Sequence, residues 1–338
     1  MQVAVTGVTG CLGRALIQNL TKSGFHLRLL VLPHEQHIFS YQKKAKIIVG
    51  DISSPEVLAD LTKDTEIVFH LAGKVHSLPR SRADENEFYR VNTEGTRLLI
   101  KAAAKNKARR IVFYSTVGVY GEVADFHGDE LSPCRPLSAY ANSKYMAEQL
   151  VLNSFKKEGP EGVVLRFPVV YGPFDRGNVA KLIKAIYHKL FFYFGDGNCL
   201  RSMISSKNAA EAAVRAAFEL KSTSEVFCVT DGRDYTMNEL VGSVHNALGI
   251  SRKPYHLPVL LADIAGRLGD LLGKWTCVPF PIDSEKVRKL SLPLTFSCEK
   301  AKKVLGYEPV ETLGKGIRRE VEWLYPNSGS TDYSDYTD

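Results

Sequence analysis

The chain has 338 residues, of which 44% are hydrophobic and 24% charged, and carries a net charge of +7. That composition supports a sizeable folded core, enough for about two domains of roughly 150 residues, and excludes disorder, a coiled coil and a disulfide miniprotein. Six widely spaced cysteines form no C-x-x-C pair, so free thiols in a reducing compartment are expected and no bound metal is.

Taken in chain order, β-rich runs at Gln2–Thr6, Leu27–Leu32, Lys46–Val49, Ile67–His70, Ile111–Ser115 and Val163–Phe167 alternate with helical patterns. The helical patterns lie at Gly13–Ser23, Ser54–Leu61, Glu85–Lys105 and Ala139–Glu158. This alternation predicts an α/β fold, a Rossmann-like doubly wound parallel sheet with helices on both faces. After Pro173 the pattern loosens into helices near Val179–His188, Lys207–Leu220, Met237–Leu248 and Leu313–Leu324. The expected organisation is a nucleotide-binding domain over residues 1–175 and a smaller, mainly substrate-binding C-terminal lobe over 176–325, interleaved with the first. A disordered tail is expected over 326–338, which is rich in Ser, Thr, Asp and Tyr and has no apolar period.

No leader is expected, because Val3-Ala4-Val5 runs straight into a glycine motif. No apolar run reaches the roughly 20 residues of a bilayer span. Leu257–Gly273, interrupted by Asp263, Arg267 and Asp270, reads as an amphipathic helix packed on the protein; contact with a membrane or an apolar ligand is the other reading. A cytoplasmic location and no membrane span follow as expectations. The basic stretches Lys101–Arg110 and Glu299–Lys303 read as solvated helix ends, and the first lacks the interleaved aromatics of a stacking platform. No nucleic-acid partner is expected, whereas a mild positive field suits an anionic substrate.

The strongest local signal is Val3-Ala4-Val5-Thr6-Gly7-Val8-Thr9-Gly10-Cys11-Leu12-Gly13, followed by the apolar helical positions Leu16, Ile17 and Leu20. A strand, a glycine-rich turn and a helix start together form a pyrophosphate cradle: glycine lets the backbone approach, and the helix N-terminus supplies amide donors. Gly7, Thr9, Gly10, Cys11, Leu12 and Gly13 are therefore candidate cofactor contacts. The second chemical signal is Tyr140 and Lys144 in Ser138-Ala139-Tyr140-Ala141-Asn142-Ser143-Lys144, four apart and so on one helix face. Tyrosine ordinarily titrates near 10; a neighbouring ammonium, together with the positive ring of an oxidised dinucleotide, is expected to favour the phenolate and lower that value.

The G-x-x-G-x-x-G spacing behind Thr6, together with Tyr140 and Lys144, resembles the short-chain dehydrogenase/reductase family. Further matches follow in that family's order. The resemblance places Asp51 and Ile52 at the adenine, and Leu71, Ala72 and Gly73 at the nicotinamide ribose. It identifies Asn92 with the asparagine of a long central helix, and it sets Phe167 and Pro168 in the segment that closes over the nicotinamide. It also makes Thr116 the hydroxyl residue that orients the substrate toward Tyr140, completing a catalytic set of Thr116, Tyr140 and Lys144. The implied cofactor is NAD, with NADP left open, because the second strand ends in Leu32-Pro33-His34, neither the acid of NAD-selective members nor the arginine of NADP-selective ones. Val117-Gly118 stands where sugar-nucleotide dehydratases carry an Asp-Glu pair, so dehydration is not expected.

Length and the C-terminal half are similar to the extended branch, which holds nucleotide-sugar epimerases, 4-keto reductases and 3β-hydroxysteroid dehydrogenases. Arg201, in Gly195–Ile204, resembles the arginine that clamps a substrate diphosphate, a task suited to a planar bidentate fork; a structural ion-pair role is the other reading. Asn178 resembles a phosphate contact at a helix start. Quinovosamine-type 4-dehydrogenases/4-keto reductases share Pro168 and the run His70 to His76, which makes His76 a substrate-contact candidate or a plain loop residue. Val169 stands where UDP-galactose 4-epimerases have asparagine, which argues against ordinary galactose/glucose interconversion. The expectation is an NAD(P)-dependent epimerase or 4-keto reductase acting on a nucleoside-diphosphate sugar, as a homodimer. A 3β-hydroxysteroid-dehydrogenase-like enzyme for an apolar alcohol is the alternative.

Overall fold

A computed structural model describes residues 1–39, 44–75, 81–121, 126–194, 196–251, 255–257 and 293–326. His76, the expected helix after Leu257 and all but Pro326 of the expected tail lie outside the described residues. In chain order the strands among them are β1 (Gln2–Thr6), β2 (His26–Val31), β3 (Ala45–Val49), β4 (Ile67–His70), β5 (Arg110–Thr116), β6 (Phe126–Gly128), β7 (Glu161–Phe167), β8 (Val169–Tyr171), β9 (Phe192–Phe194), β10 (Leu200–Ser205), β11 (Glu225–Cys228), β12 (Asp234–Thr236), β13 (Tyr255–Leu257) and β14 (Leu294–Phe296). The helices are α1 (Cys11–Lys22), α2 (Pro55–Leu61), α3 (Arg82–Phe88), α4 (Gly95–Lys105), α5 (Ala139–Leu152), α6 (Asn178–Tyr187), α7 (Ser206–Phe218), α8 (Met237–Leu248), α9 (Glu299–Leu305) and α10 (Leu313–Leu324).

Seven parallel strands pair in the order β11-β7-β5-β4-β1-β2-β3. The inner strands β1, β4, β5 and β7 are buried on both faces and are largely apolar, as the sequence suggested, whereas edge strand β3 exposes Lys46 and Val49. Successive side chains serve opposite layers: Val3 and Val5 of β1 join a core with Leu16, Ile17 and Leu20 of α1, while Ala4 joins Leu58, Leu61 and Leu99 across the sheet. Alanines 209, 210, 212, 213, 216 and 217 on α7 are buried in the first of these layers, and such small side chains permit close packing against α1. The strand order reverses between β1 and β4, so all C-terminal strand ends meet at one crevice, the usual ligand position of this architecture.

The structure departs from the sequence reading in local form. The pattern Glu85–Lys105 is two α-helices joined by a π-helical turn, Tyr89–Glu94, which carries Asn92. The fourth helix ends at Leu152 rather than Glu158, because Ser154 Oγ bonds the carbonyls of Val151 and Pro160 and Glu158 turns left-handed at φ 58°. A second sheet, β12-β10-β14-β6 with β8 against β10, was not foreseen, since its strands are short and pair across large sequence separations. The five described cysteines are free.

Candidate active site

The glycine loop leaves β1 at its C-terminal end. Gly7 has φ +72° and lies so close to Leu71 and Ala72 that a Cβ would clash with their backbone, and Gly13 is pressed as tightly on Val8. Gly10 differs: a Cβ there would meet no atom within 4 Å. It is the N-cap of α1, with no side-chain capping bond and no acid in the first turn. Open space in front of uncapped, dipole-positive helix amides fits a pyrophosphate. The Cys11 side chain turns away from that space, its Sγ 3.6 Å from Gly172 O, so only its backbone faces the cradle.

At the end of β2 the structure supplies a group that the sequence reading missed. Pro33 starts a 3-10 turn, and Glu35 N donates to Leu32 O. The turn brings the Glu35 carboxylate beside the loop, where it accepts from Thr9 Oγ1 at 2.8 Å and Leu32 N at 3.4 Å. The strand end is thus acidic, although the acid lies three residues past Leu32. Asp51 and Ile52 follow β3. Burial works to raise the Asp51 carboxyl, yet hydrogen bonds from Ser53 and the Arg90 charge hold it below the ordinary carboxylate range. Ile52 is buried against Gly95.

Between β4 and the central helices runs a fully satisfied polar chain. Ala72 N donates to Thr6 Oγ1 (3.1 Å), which pairs with His70 Nδ1 (2.8 Å); His70 Nε2 pairs with Thr96 Oγ1 (2.8 Å), which donates to Asn92 O (2.5 Å). Thr96 spends its proton on Asn92, so His70 carries hydrogen on Nε2 and accepts at Nδ1. Burial, and then Lys144, push His70 down to about 3, so it stays neutral. The Asn92 side chain accepts from Lys74 N at 2.7 Å and donates to Ser143 Oγ at 2.9 Å, and Ser143 Oγ donates to Tyr140 O. The π turn therefore ties the Leu71–Gly73 segment to the helix bearing Tyr140 and Lys144.

Thr116 ends β5, and α5 starts at the Ser138 cap, whose Oγ accepts from Ala141 N. Helix and strand bring Thr116, Tyr140 and Lys144 together. Burial dominates at Tyr140 and pushes the phenol up to about 12, with Thr116 the opposing influence, while Thr116 Oγ1 accepts from Gly118 N at 3.1 Å. Burial also brings Lys144 down to about 7, opposed by Glu148. The expected lowering of Tyr140 rests on Lys144 together with an oxidised cofactor; from the protein's own groups burial outweighs the amine, which is itself desolvated 3.9 Å from the Phe113 ring centroid. A Cβ on Gly73 would lie 3.8 Å from Lys144 Nζ, which places the amine beside the Leu71–Gly73 segment.

The remaining candidates are more dispersed. Phe167 and Pro168 are buried at the end of β7, with Phe167 in register with Thr116. Asn178 is exposed as the first residue of α6, but the amides of Gly177 and Ala180 already bond the Asp175 carboxylate. The Asp175 carboxylate thus takes up two amides at that helix start, and the Asn178 side chain stays exposed. Arg201 is half-buried on β10, in register with Tyr235 and Leu294. Among the described residues no helix is long and apolar enough to cross a membrane.

Residues 3–229 match the model of the NAD dependent epimerase/dehydratase family. The chain belongs to that family. It is an NAD-dependent enzyme of the extended short-chain dehydrogenase/reductase type. It is 27% identical to N-acetyl-alpha-D-glucosaminyl-diphospho-ditrans,octacis-undecaprenol 4-epimerase of Escherichia coli O157:H7, over 98% of this chain and 97% of the relative. It is also 27% identical to 3beta-hydroxysteroid-dehydrogenase/decarboxylase isoform 2 of Arabidopsis thaliana, over 82% of this chain and 52% of that one. A solved structure of MoeE5 in complex with UDP-glucuronic acid and NAD is similar at 26% identity and TM-score 0.74, covering 96% of this chain and 99% of that chain.

Proposed function

We propose that the protein oxidises and reduces a carbinol carbon of a nucleoside-diphosphate sugar, as a 4-epimerase or a 4-keto reductase. The observation that carries this reading is the convergence of Thr116, at the end of β5, with Tyr140 and Lys144, one turn apart on α5, the Lys144 amine lying beside Gly73. The Gly7–Gly13 loop, Glu35, Asp51 and Leu71–Gly73 would hold NAD, which would supply hydride acceptance and donation. Thr116 orients the substrate oxygen. Tyr140 as the phenolate would take the proton of that oxygen on oxidation, and as the phenol would give it back on reduction. Lys144 stabilises the resulting phenolate and titrates close enough to neutrality to respond to it. Val117, which is buried, and Gly118 follow Thr116 and offer no second acid or base, which disfavours dehydration.

Residues 176–325 supply most of the substrate side, where Arg201 and the Asn178 side chain would meet the diphosphate. The solved MoeE5 complex with UDP-glucuronic acid and NAD supports this assignment, and a homodimer is the assembly we expect. A second reading, oxidation of an apolar alcohol, is favoured by the Arabidopsis relative and by Leu131 and Leu137, 92% and 71% exposed just ahead of α5. Purified protein with NAD(H) should be screened against UDP- and dTDP-sugars and against sterols, following absorbance at 340 nm and product stereochemistry together. Epimer formation, or oxidation confined to sugar nucleotides, supports the first reading; turnover of sterols alone overturns it.

A further inference from the structure

One turn beyond Lys144 on α5 lies a carboxylate that the proposed chemistry does not use. Glu148 is fully buried, and Arg166 of β7 grips it in a bidentate pair, Nε to Oε1 at 3.0 Å and Nη2 to Oε2 at 2.6 Å. The side chains of this pair are 4% and 0% exposed. Arg166 Nη1 also donates to Tyr120 Oη at 2.8 Å, and the guanidinium sits 4.8 Å from the Tyr120 ring centroid. Tyr120 ends the 3-10 turn that begins just after Thr116. Arg166 itself is in register with Ser115 and precedes Phe167 and Pro168. One ion pair therefore joins the three segments that carry Thr116, Lys144 and the nicotinamide-side strand end.

Desolvating a charged pair is costly, and apolar residues of similar volume fill such sites at no loss of stability. We propose that Glu148, held by Arg166, is a positioning residue for Lys144, its carboxylate keeping the amine protonated in a pocket that otherwise expels the charge. The groups facing Lys144 leave few alternatives: Phe113 from β5 is uncharged, His70 from β4 is neutral, and Tyr140 on its own helix keeps its proton. Glu148 acts to raise Lys144 against the burial that lowers it. Arg166 offsets part of that field and fixes the direction of the carboxylate.

The inference rests on the reading of Lys144 as partner of Tyr140, but its test needs no turnover. Protein carrying 13C-labelled lysine is titrated by NMR without substrate, and the Lys144 signal is identified as the one lost in Lys144→Met. In Glu148→Gln the Lys144 midpoint should fall by about one pH unit, the shift expected on losing a nearby opposite charge. In Tyr120→Phe, which keeps both charges and removes one hydrogen bond from Arg166, the midpoint should stay at the wild-type value. An unshifted midpoint in folded Glu148→Gln overturns the proposal. So does an equal fall in Tyr120→Phe, since looser packing would then account for both. If Glu148→Gln does not fold, Glu148→Asp carries the test: a shorter carboxylate keeps the midpoint near wild type under the proposal, and a fall of a full unit in that variant contradicts it.

Discussion

Glu320 offers a quantitative check on the packing between α10 and the segment after β8. Its side chain is fully buried, and Oε2 accepts from Gly172 N at 2.7 Å. Burial, followed by the Asp175 charge, pushes its carboxyl from 4.5 up to about 9, opposed by the Gly172 amide. The folded protein therefore holds a proton that the unfolded chain releases above about pH 4.5. Stability from this site is complete below that pH and is lost as pH rises toward 9. At about 1.4 kcal/mol per pH unit, the loss amounts to roughly 3 kcal/mol by pH 7. Glu320→Gln keeps an acceptor for Gly172 and abolishes the titration. Urea unfolding of both proteins from pH 4 to 9 should show curves that coincide near pH 4 and diverge by roughly 3 kcal/mol in favour of Gln at pH 7. Parallel curves, or a Gln variant less stable than wild type at pH 8, would refute the reasoning.

Other substitutions address the site itself. Gly10→Val has room within the protein, since a Cβ there meets nothing within 4 Å, but its methyl groups would fill the space before α1; calorimetry should show lost NAD binding with the melting temperature retained. Glu35→Ser removes the acid at the end of β2 and should shift the NAD-to-NADP affinity ratio toward NADP by at least about tenfold, or about 1.4 kcal/mol; an unchanged ratio in fluorescence titrations would remove Glu35 from the cofactor site. Arg201→Met should weaken UDP binding by at least about tenfold while NADH binding and melting temperature hold, because a lost partner of a desolvated charge pair costs roughly 2–5 kcal/mol. No UDP affinity in the wild-type protein with NAD bound, even at millimolar concentration, would move the assignment to apolar alcohols.

What was legible in the sequence was what is local. The glycine spacing of Gly7, Gly10 and Gly13 and the four-residue step from Tyr140 to Lys144 are properties of one turn and one helix, and both appear as read. The parallel sheet was legible because strands buried on both faces need continuous apolar runs. Glu35 was missed because its place depends on how tightly the chain turns after Pro33. The phosphate contact expected at the start of α6 met the Asp175 cap, whose carboxylate reaches residues two and five ahead. The second sheet hid because β6 and β14 are three residues each and pair across a long separation, Phe126 with Leu294. The titration of Tyr140 and Lys144 depends on burial by segments distant in the chain, which no spacing reveals.

The central claim is that Tyr140 moves the substrate proton in an NAD-dependent reaction at a sugar carbinol. The direct measurement is Tyr140→Phe, assayed for turnover on the sugar nucleotide that the wild type accepts and for NAD affinity by calorimetry on the same preparation. The account predicts a fall in kcat of about a hundredfold or more, the range of a lost general base, with NAD affinity within about twofold of wild type. A kcat near the wild-type value in that variant would contradict it.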